Sequence, residues 1–129
     1  AGAGASNTSA LAFGGYVPPA NKGETESWNG TNWTEVNNLN TARRSLAGLG
    51  IQSAALALAG YSTTQVSLTE EWNGASWSEV GDLNTSRSGP GASGTTTNGL
   101  AFGGESPPAS AATEEWSSSS TLTKTVDAS

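Results

Sequence analysis

The chain has 129 residues, a formal net charge of −6 from eleven acidic and five basic side chains, and neither histidine nor cysteine. Those absences exclude Ser-His-Asp and Cys-His nucleophiles, histidine- or thiolate-held metals and disulfides, and they leave the redox compartment open. The acidic balance lacks the basic footprint that nucleic acid or an anionic membrane requires, and no apolar run approaches a membrane span.

The length suits one domain at most. Only 34% of the residues are apolar, yet five tryptophans fall at regular positions. Disordered polar tracts rarely hold aromatics in register, so the composition points to a repeat fold with a thin core of small residues. No signal peptide or initiator Met is visible, and the chain is expected to be a mature product, an expressed segment or the ordered part of something longer.

In chain order, the first segment is the Gly/Ala stretch near 2–5, expected as a strand in a crowded position. The apolar strand ALAFGG follows at 10–15. In it Leu11 and Phe13 face one side while Ala10 and Ala12 face the other, as the two-residue period of a strand dictates. Then come TESW, ending at Trp28, and WTEV, beginning at Trp33. The Asn29-Gly30 pair starts the short link between them, since both residues tolerate positive φ. A turn segment, NNLNTARR, leads to LAGLG near 46–50, and the series begins again.

The second series is ALALAG at 55–60, TEEW ending at Trp72, Asn73-Gly74, and WSEV from Trp77. After GDLNTSRS and a small-residue stretch near 90–94, the third is GLAFGG at 99–104 and TEEW ending at Trp116. Trp28, Trp72 and Trp116 are thus spaced 44 residues apart. The third copy lacks the second tryptophan and runs into SSSSTLTKTVDAS. There Thr121, Thr123 and Thr125 alternate with Leu122, Lys124 and Val126, as in a last outer strand. No stretch sustains a helical period, so the chain is expected to be all-β. Large residues on one face of the apolar strand and small ones on the other suit a sheet covered on both sides by similar sheets. Four-stranded units of this length around an axis describe a β-propeller.

These residues resemble the kelch-repeat propellers. In that family a Gly-Gly pair ends the second strand, an aromatic follows about a dozen residues later, and a tryptophan soon after it. The matching residues are Gly14-Gly15, Trp28 and Trp33; Ala59-Gly60, Trp72 and Trp77; and Gly103-Gly104 with Trp116. Two departures are Ala59 in place of a glycine and the missing second tryptophan of copy three. The TEEWNG and LNTAR phrases are also similar to Asn/Thr-rich repeats of environmental and marine phage sequences. The resemblance implies three four-stranded blades, about 1–44, 45–88 and 89–129. It implies a structural blade core of Trp28, Trp33, Trp72, Trp77, Trp116, Phe13 and Phe102. It also implies structural ion pairs between third-strand glutamates Glu26, Glu70 and Glu114 and the connecting arginines Arg43 and Arg87. Three glutamates face two arginines, and the spacing places the missing arginine just before residue 1.

No residue pattern points to catalysis. Glu70-Glu71 and Glu114-Glu115 are adjacent in strands and face opposite ways, so neither pair forms a glycosidase dyad or a calcium site. Glu35 and Glu79 are expected as solvated outer charges. The copies differ most in the connections YVPPANKGE, YSTTQVSL and ESPPASAA, where Tyr16, Lys22, Arg44, Tyr61 and Gln65 are the candidates for contacting a glycan. Catalytic, cofactor-binding and metal residues are expected to be none. Three blades do not close a ring, so either a second chain completes six blades as a homodimer or further blades lie upstream. The resulting expectation is a non-enzymatic structural or adhesive propeller module, in a virion or extracellular, contacting glycans or other virion proteins. Alternatives are a carbohydrate-binding module of a secreted bacterial protein and a carboxylate-dependent glycosidase.

Overall fold

The structure, a computed structural model, describes residues 1–106, 108–117 and 123–126, the last four in backbone only. Thr121 and Leu122, in the expected final strand, lie outside the described residues, as does Pro107 in the last variable connection. Every described element is a strand: β1 (Gly2–Ser6), β2 (Ser9–Val17), β3 (Ala20–Trp28), β4 (Trp33–Val36), β5 (Ala47–Ile51), β6 (Ala54–Tyr61), β7 (Gln65–Trp72), β8 (Trp77–Val80), β9 (Gly91–Gly94), β10 (Gly99–Phe102), β11 (Thr113–Trp116) and β12 (Thr123–Val126). They form three antiparallel sheets, β1–β4, β5–β8 and β9–β12, each ordered as in the sequence and none closed into a barrel.

The register repeats from sheet to sheet. Gly2, Ala12, Glu26 and Glu35 form one cross-strand row, and Gly48, Ala57, Glu70 and Glu79 form its counterpart. In the third sheet the row is Ala92, Ala101, Glu114 and Thr125. Asn29 and Asn73 each cap the link after a tryptophan, their Oδ1 accepting two backbone N–H groups at 2.8–2.9 Å. Gly30 and Gly74 follow at φ 95° and 96°, which is why Asn-Gly occupies both links.

The sheets stack in chain order around two cores. Leu11 and Phe13 of the first sheet pack on Ala55, Ala57, Trp72 and Trp77 of the second. Leu56 and Leu58, on the opposite face of β6, pack with Ala101 and Trp116 of the third. At the inner edge β5 lies between β1 and β9. There a Cβ on Gly48 would come within 2.6 Å of the Phe13 ring and closer still to the Gly2 carbonyl, so only glycine fits.

Two expected core residues are instead exposed. Trp33 is 49% accessible where its counterpart Trp77 is 5%, and Phe102 is 41% accessible where Phe13 is 2%. The cause is position in the stack. Trp77 lies under the first sheet, touching Phe13 edge-on at 4.9 Å and donating its Nε1–H to Thr25 Oγ1 at 3.0 Å. Trp33 is on the outward face of the first sheet and Phe102 on the outward face of the third, and neither has a described sheet over it. Trp28 is half-buried, tilted against Trp33 at 5.3 Å.

Candidate functional site

Three groupings emerge, two of them built by the connectors between sheets and one lying on the strands of the first sheet. The first is a pair of buried arginine forks. Segment 37–46 leaves β4 and returns along β3, where Leu39 N–H donates to Gly23 O at 2.8 Å and Arg43 N–H to Lys22 O at 3.1 Å. Its Arg43 side chain then enters the second sheet. Nε donates to Ala59 O at 2.8 Å, Nη2 to Ala57 O at 3.1 Å, and Nη1 to Glu70 Oε2 at 2.5 Å. The Glu70 carboxylate also accepts the backbone N–H groups of Asn40 and Thr41, at 2.6 and 3.3 Å. Both side chains are fully buried, so the charges are neutralised by each other and by the peptide dipoles around them.

Arg87 does the same one sheet later. Its Nη2 meets Glu114 Oε2 at 2.5 Å, and its Nη1 reaches Gly103 O and Ala112 O at 3.1 and 3.0 Å. Asn84 N–H donates to Glu114 Oε1 at 2.5 Å. The carbonyl used at each junction belongs to a left-handed residue: Ala59, at the register shift between Leu58 and Gly60, and Gly103, one residue past the end of β10. Ala59 and Gly103 adopt φ 56° and 68°, and Gly14 shares that conformation at 68°. A left-handed residue turns its carbonyl out of the ladder and towards the guanidinium. This is the physical role of the Gly-Gly and Ala-Gly pairs. Glu26, the third expected ion-pair member, is exposed and has no cationic partner among the described residues.

The second grouping is on the rim. Arg44 pairs with Tyr61 backbone to backbone at 2.8 and 3.0 Å, which fixes where its side chain can lie. The guanidinium sits 4.4 Å from the Tyr16 ring centroid and 4.7 Å from that of Tyr61. Such cation–π contacts contribute on the order of 0.5–1 kcal/mol each at exposed sites. Gln65 is directly across the strand pair from Tyr61. Lys22, its Nζ 3.6 Å from Glu24, borders with Tyr16 the groove on the first sheet. Of the five rim candidates, the structure therefore gathers Tyr16, Arg44 and Tyr61 into one stack, with Gln65 adjacent. Arg44 already covers one face of each ring, which leaves less aromatic surface for a sugar than the sequence suggests.

No protein-family model matches this chain, and no curated protein matches it.

The third grouping is an open groove of about 520 Å3 on the first sheet, bordered by Ala12, Gly14, Lys22, Glu24, Glu26 and Trp33. Neither the groove nor the Tyr16–Arg44–Tyr61 stack was identified from sequence, because the groove depends on which sheet face lacks a neighbour and the stack is made once, outside the repeat. Gln52 was missed as well. From the β5–β6 turn it crosses to the first sheet, where its Nε2 donates to Ser27 Oγ at 2.8 Å and Trp28 O at 2.6 Å, and its Oε1 accepts from Ser9 Oγ at 2.8 Å. Nothing in the 44-residue period marks it, since the other copies place Thr8 or Thr96 there. What does repeat is the backbone: the carbonyls of Asn7, Gln52 and Thr96 accept the indole N–H of Trp28, Trp72 and Trp116 at 2.9–3.0 Å. Chemically, Glu70 and Glu114 are sealed in ion pairs and unable to meet a substrate.

Proposed function

We propose that the chain is a non-enzymatic structural and adhesive module: three blades of a kelch-like β-propeller, closed into a six-bladed ring by a second copy, that mediates protein or glycan contact. The observation carrying this reading is the fit between the two ends of the stack. Inside the chain, a face of large residues packs on a face of alanine and tryptophan twice. One end is left with Leu100 and Phe102, both exposed, and the other with Ala10, Ala12, Trp28 and Trp33. These are the two halves of the same interface. Two copies related by a two-fold axis satisfy both ends at once, whereas a rotation that fails to close would give an open filament. Placement on a phage particle rests on the TEEWNG and LNTAR resemblance alone.

Native mass spectrometry tests the reading, with the 12.9 kDa monomer as the ruler. A dimer is expected, and Phe102→Asp or Trp33→Asp should return it to monomer with the fold intact. A folded monomer at tens of micromolar would overturn ring closure by a second copy.

A carbohydrate-binding role is the second reading. It is favoured by Tyr16, 46% accessible beside Arg44 on the rim. Glycan-array binding lost on Tyr16→Ala or Tyr61→Ala would support it, and silence across the array would favour a purely structural role.

A further inference from the structure

Each of the two internal junctions is filled by the same short phrase, Leu39-Asn40-Thr41-Ala42-Arg43 or Leu83-Asn84-Thr85-Ser86-Arg87. At each, the arginine reaches the carbonyl of the left-handed residue and a third-strand glutamate, while a backbone N–H from the asparagine reaches the same carboxylate. The first sheet has the same receiving atoms. Gly14 has the same left-handed conformation as Ala59 and Gly103, and Glu26 occupies the same register as Glu70 and Glu114. Among the described residues, no donor outside the sheet reaches Gly14 O and none reaches Glu26. Both residues border the open groove.

We propose that this groove is the docking site for an arginine-bearing extended segment of another chain, of the form Leu-Asn-Thr-x-Arg. Its guanidinium meets Gly14 O and the Glu26 carboxylate, and its asparagine N–H donates to Glu26. Charge favours this occupant. Glu26 lies directly opposite Glu35 in the strand pair, an arrangement of like charges that is unfavourable until a cation joins it. Glu24 adds a further negative charge at the groove, offset by Lys22 at 3.6 Å. The chain's own arginines are committed elsewhere: Arg43 and Arg87 are buried in their forks and Arg44 is stacked between tyrosines. The Ala1 ammonium, also at the groove, donates to Phe13 O at 2.9 Å. Lysine is a poorer occupant, because a single ammonium reaches fewer of the separated acceptors than a planar fork does. The inference stands on the two internal junctions and holds whether or not the sheets close a ring.

The test titrates the full 15N-labelled chain with a capped decapeptide of residues 37–46, NNLNTARRSL, followed by NMR and calorimetry. Shifts are expected to gather at the amides of Gly14, Gly15 and Glu26. Changing Arg43→Ala in the peptide, or Glu26→Gln in the protein, should weaken binding at least ten-fold. Arg43→Lys in the peptide should fall between, and Asp82→Asn in the protein should change little. Equal affinity for the arginine and alanine peptides, shifts scattered over the acidic surface, or no binding at millimolar peptide would overturn the proposal. Native mass spectrometry of the same samples reports the assembly state separately, so an absent dimer and an empty socket are told apart.

Discussion

Arg43 and Glu70 are both fully buried, and they come from opposite sides of a sheet–sheet junction: the arginine leaves the first sheet's connector and the glutamate belongs to the second sheet's third strand. A pair so placed fixes the docking geometry as much as it contributes energy. Its burial means that each charge depends on the other to avoid an uncompensated site in the interior.

Glu70→Gln should therefore destabilise the fold by about 3–5 kcal/mol, since it strands the Arg43 charge and weakens the acceptor of two backbone N–H groups. Glu26→Gln, at the equivalent register but exposed, should change stability by less than about 0.5 kcal/mol. Urea unfolding of the two variants side by side reads the difference. Equal effects would mean that the buried fork contributes little.

Gln52→Ala should cost about 1–3 kcal/mol, because it leaves Ser9, Ser27 and the Trp28 carbonyl without the amide that joins them. The equivalent change at Thr96 should be much milder. Its main contribution to the repeat is a backbone carbonyl, which substitution preserves.

The left-handed glycines Gly14 and Gly103 should differ in tolerance. Gly103→Ala places a methyl group 3.8 Å from its nearest neighbour and bears only the left-handed penalty of about 1 kcal/mol, a conformation Ala59 already adopts. Gly14→Ala would add contacts of 2.9 Å with the Arg43 carbonyl and a Leu46 methyl, and should cost at least about 1 kcal/mol more. Thermal midpoints of both variants measure this.

Burial lowers the Ala1 ammonium below its ordinary pKa of 8.0. Between the folded and the unfolded value the unfolded chain binds more protons, so stability should rise with pH through that window. The contribution is complete above about pH 8 and is lost as the pH falls through the folded value. Urea midpoints from pH 6 to 8.5 should show this slope, and acetylation of Ala1 should remove it.

The strand positions were legible because they rest on local signals: two-residue alternation in ALAF, ALAL and GLAF, Asn-Gly at two of the links, and a repeat in which the second and third strands recur three times and the W-[TS]-E-V strand twice. The ion pairs Arg43–Glu70 and Arg87–Glu114 follow from the resemblance, and the structure places those residues together. Trp33 and Phe102 were misread for the same reason that the strands were found. A repeat treats its copies as equivalent, but burial depends on what lies beyond each copy, and the end sheets have one neighbour each. Gln52 and the Arg44 stack were illegible because they occur once. Their partners come from a different unit, and no periodic signal marks a contact made a single time.

Each connector bonds to the sheet it leaves and sends its arginine into the sheet it joins, so coupling runs between neighbours only. Such a chain behaves as a short one-dimensional lattice, in which a unit's persistence reflects how many neighbours hold it. The second sheet has two and should keep its amide protons longest, β6 above all. The two couplings are also unequal: among the described residues Arg87 Nε is buried without an acceptor, whereas Arg43 donates through all three nitrogens. Opening should thus begin at the third sheet and travel towards the first, giving the fold a direction of fraying set by one unfilled hydrogen bond.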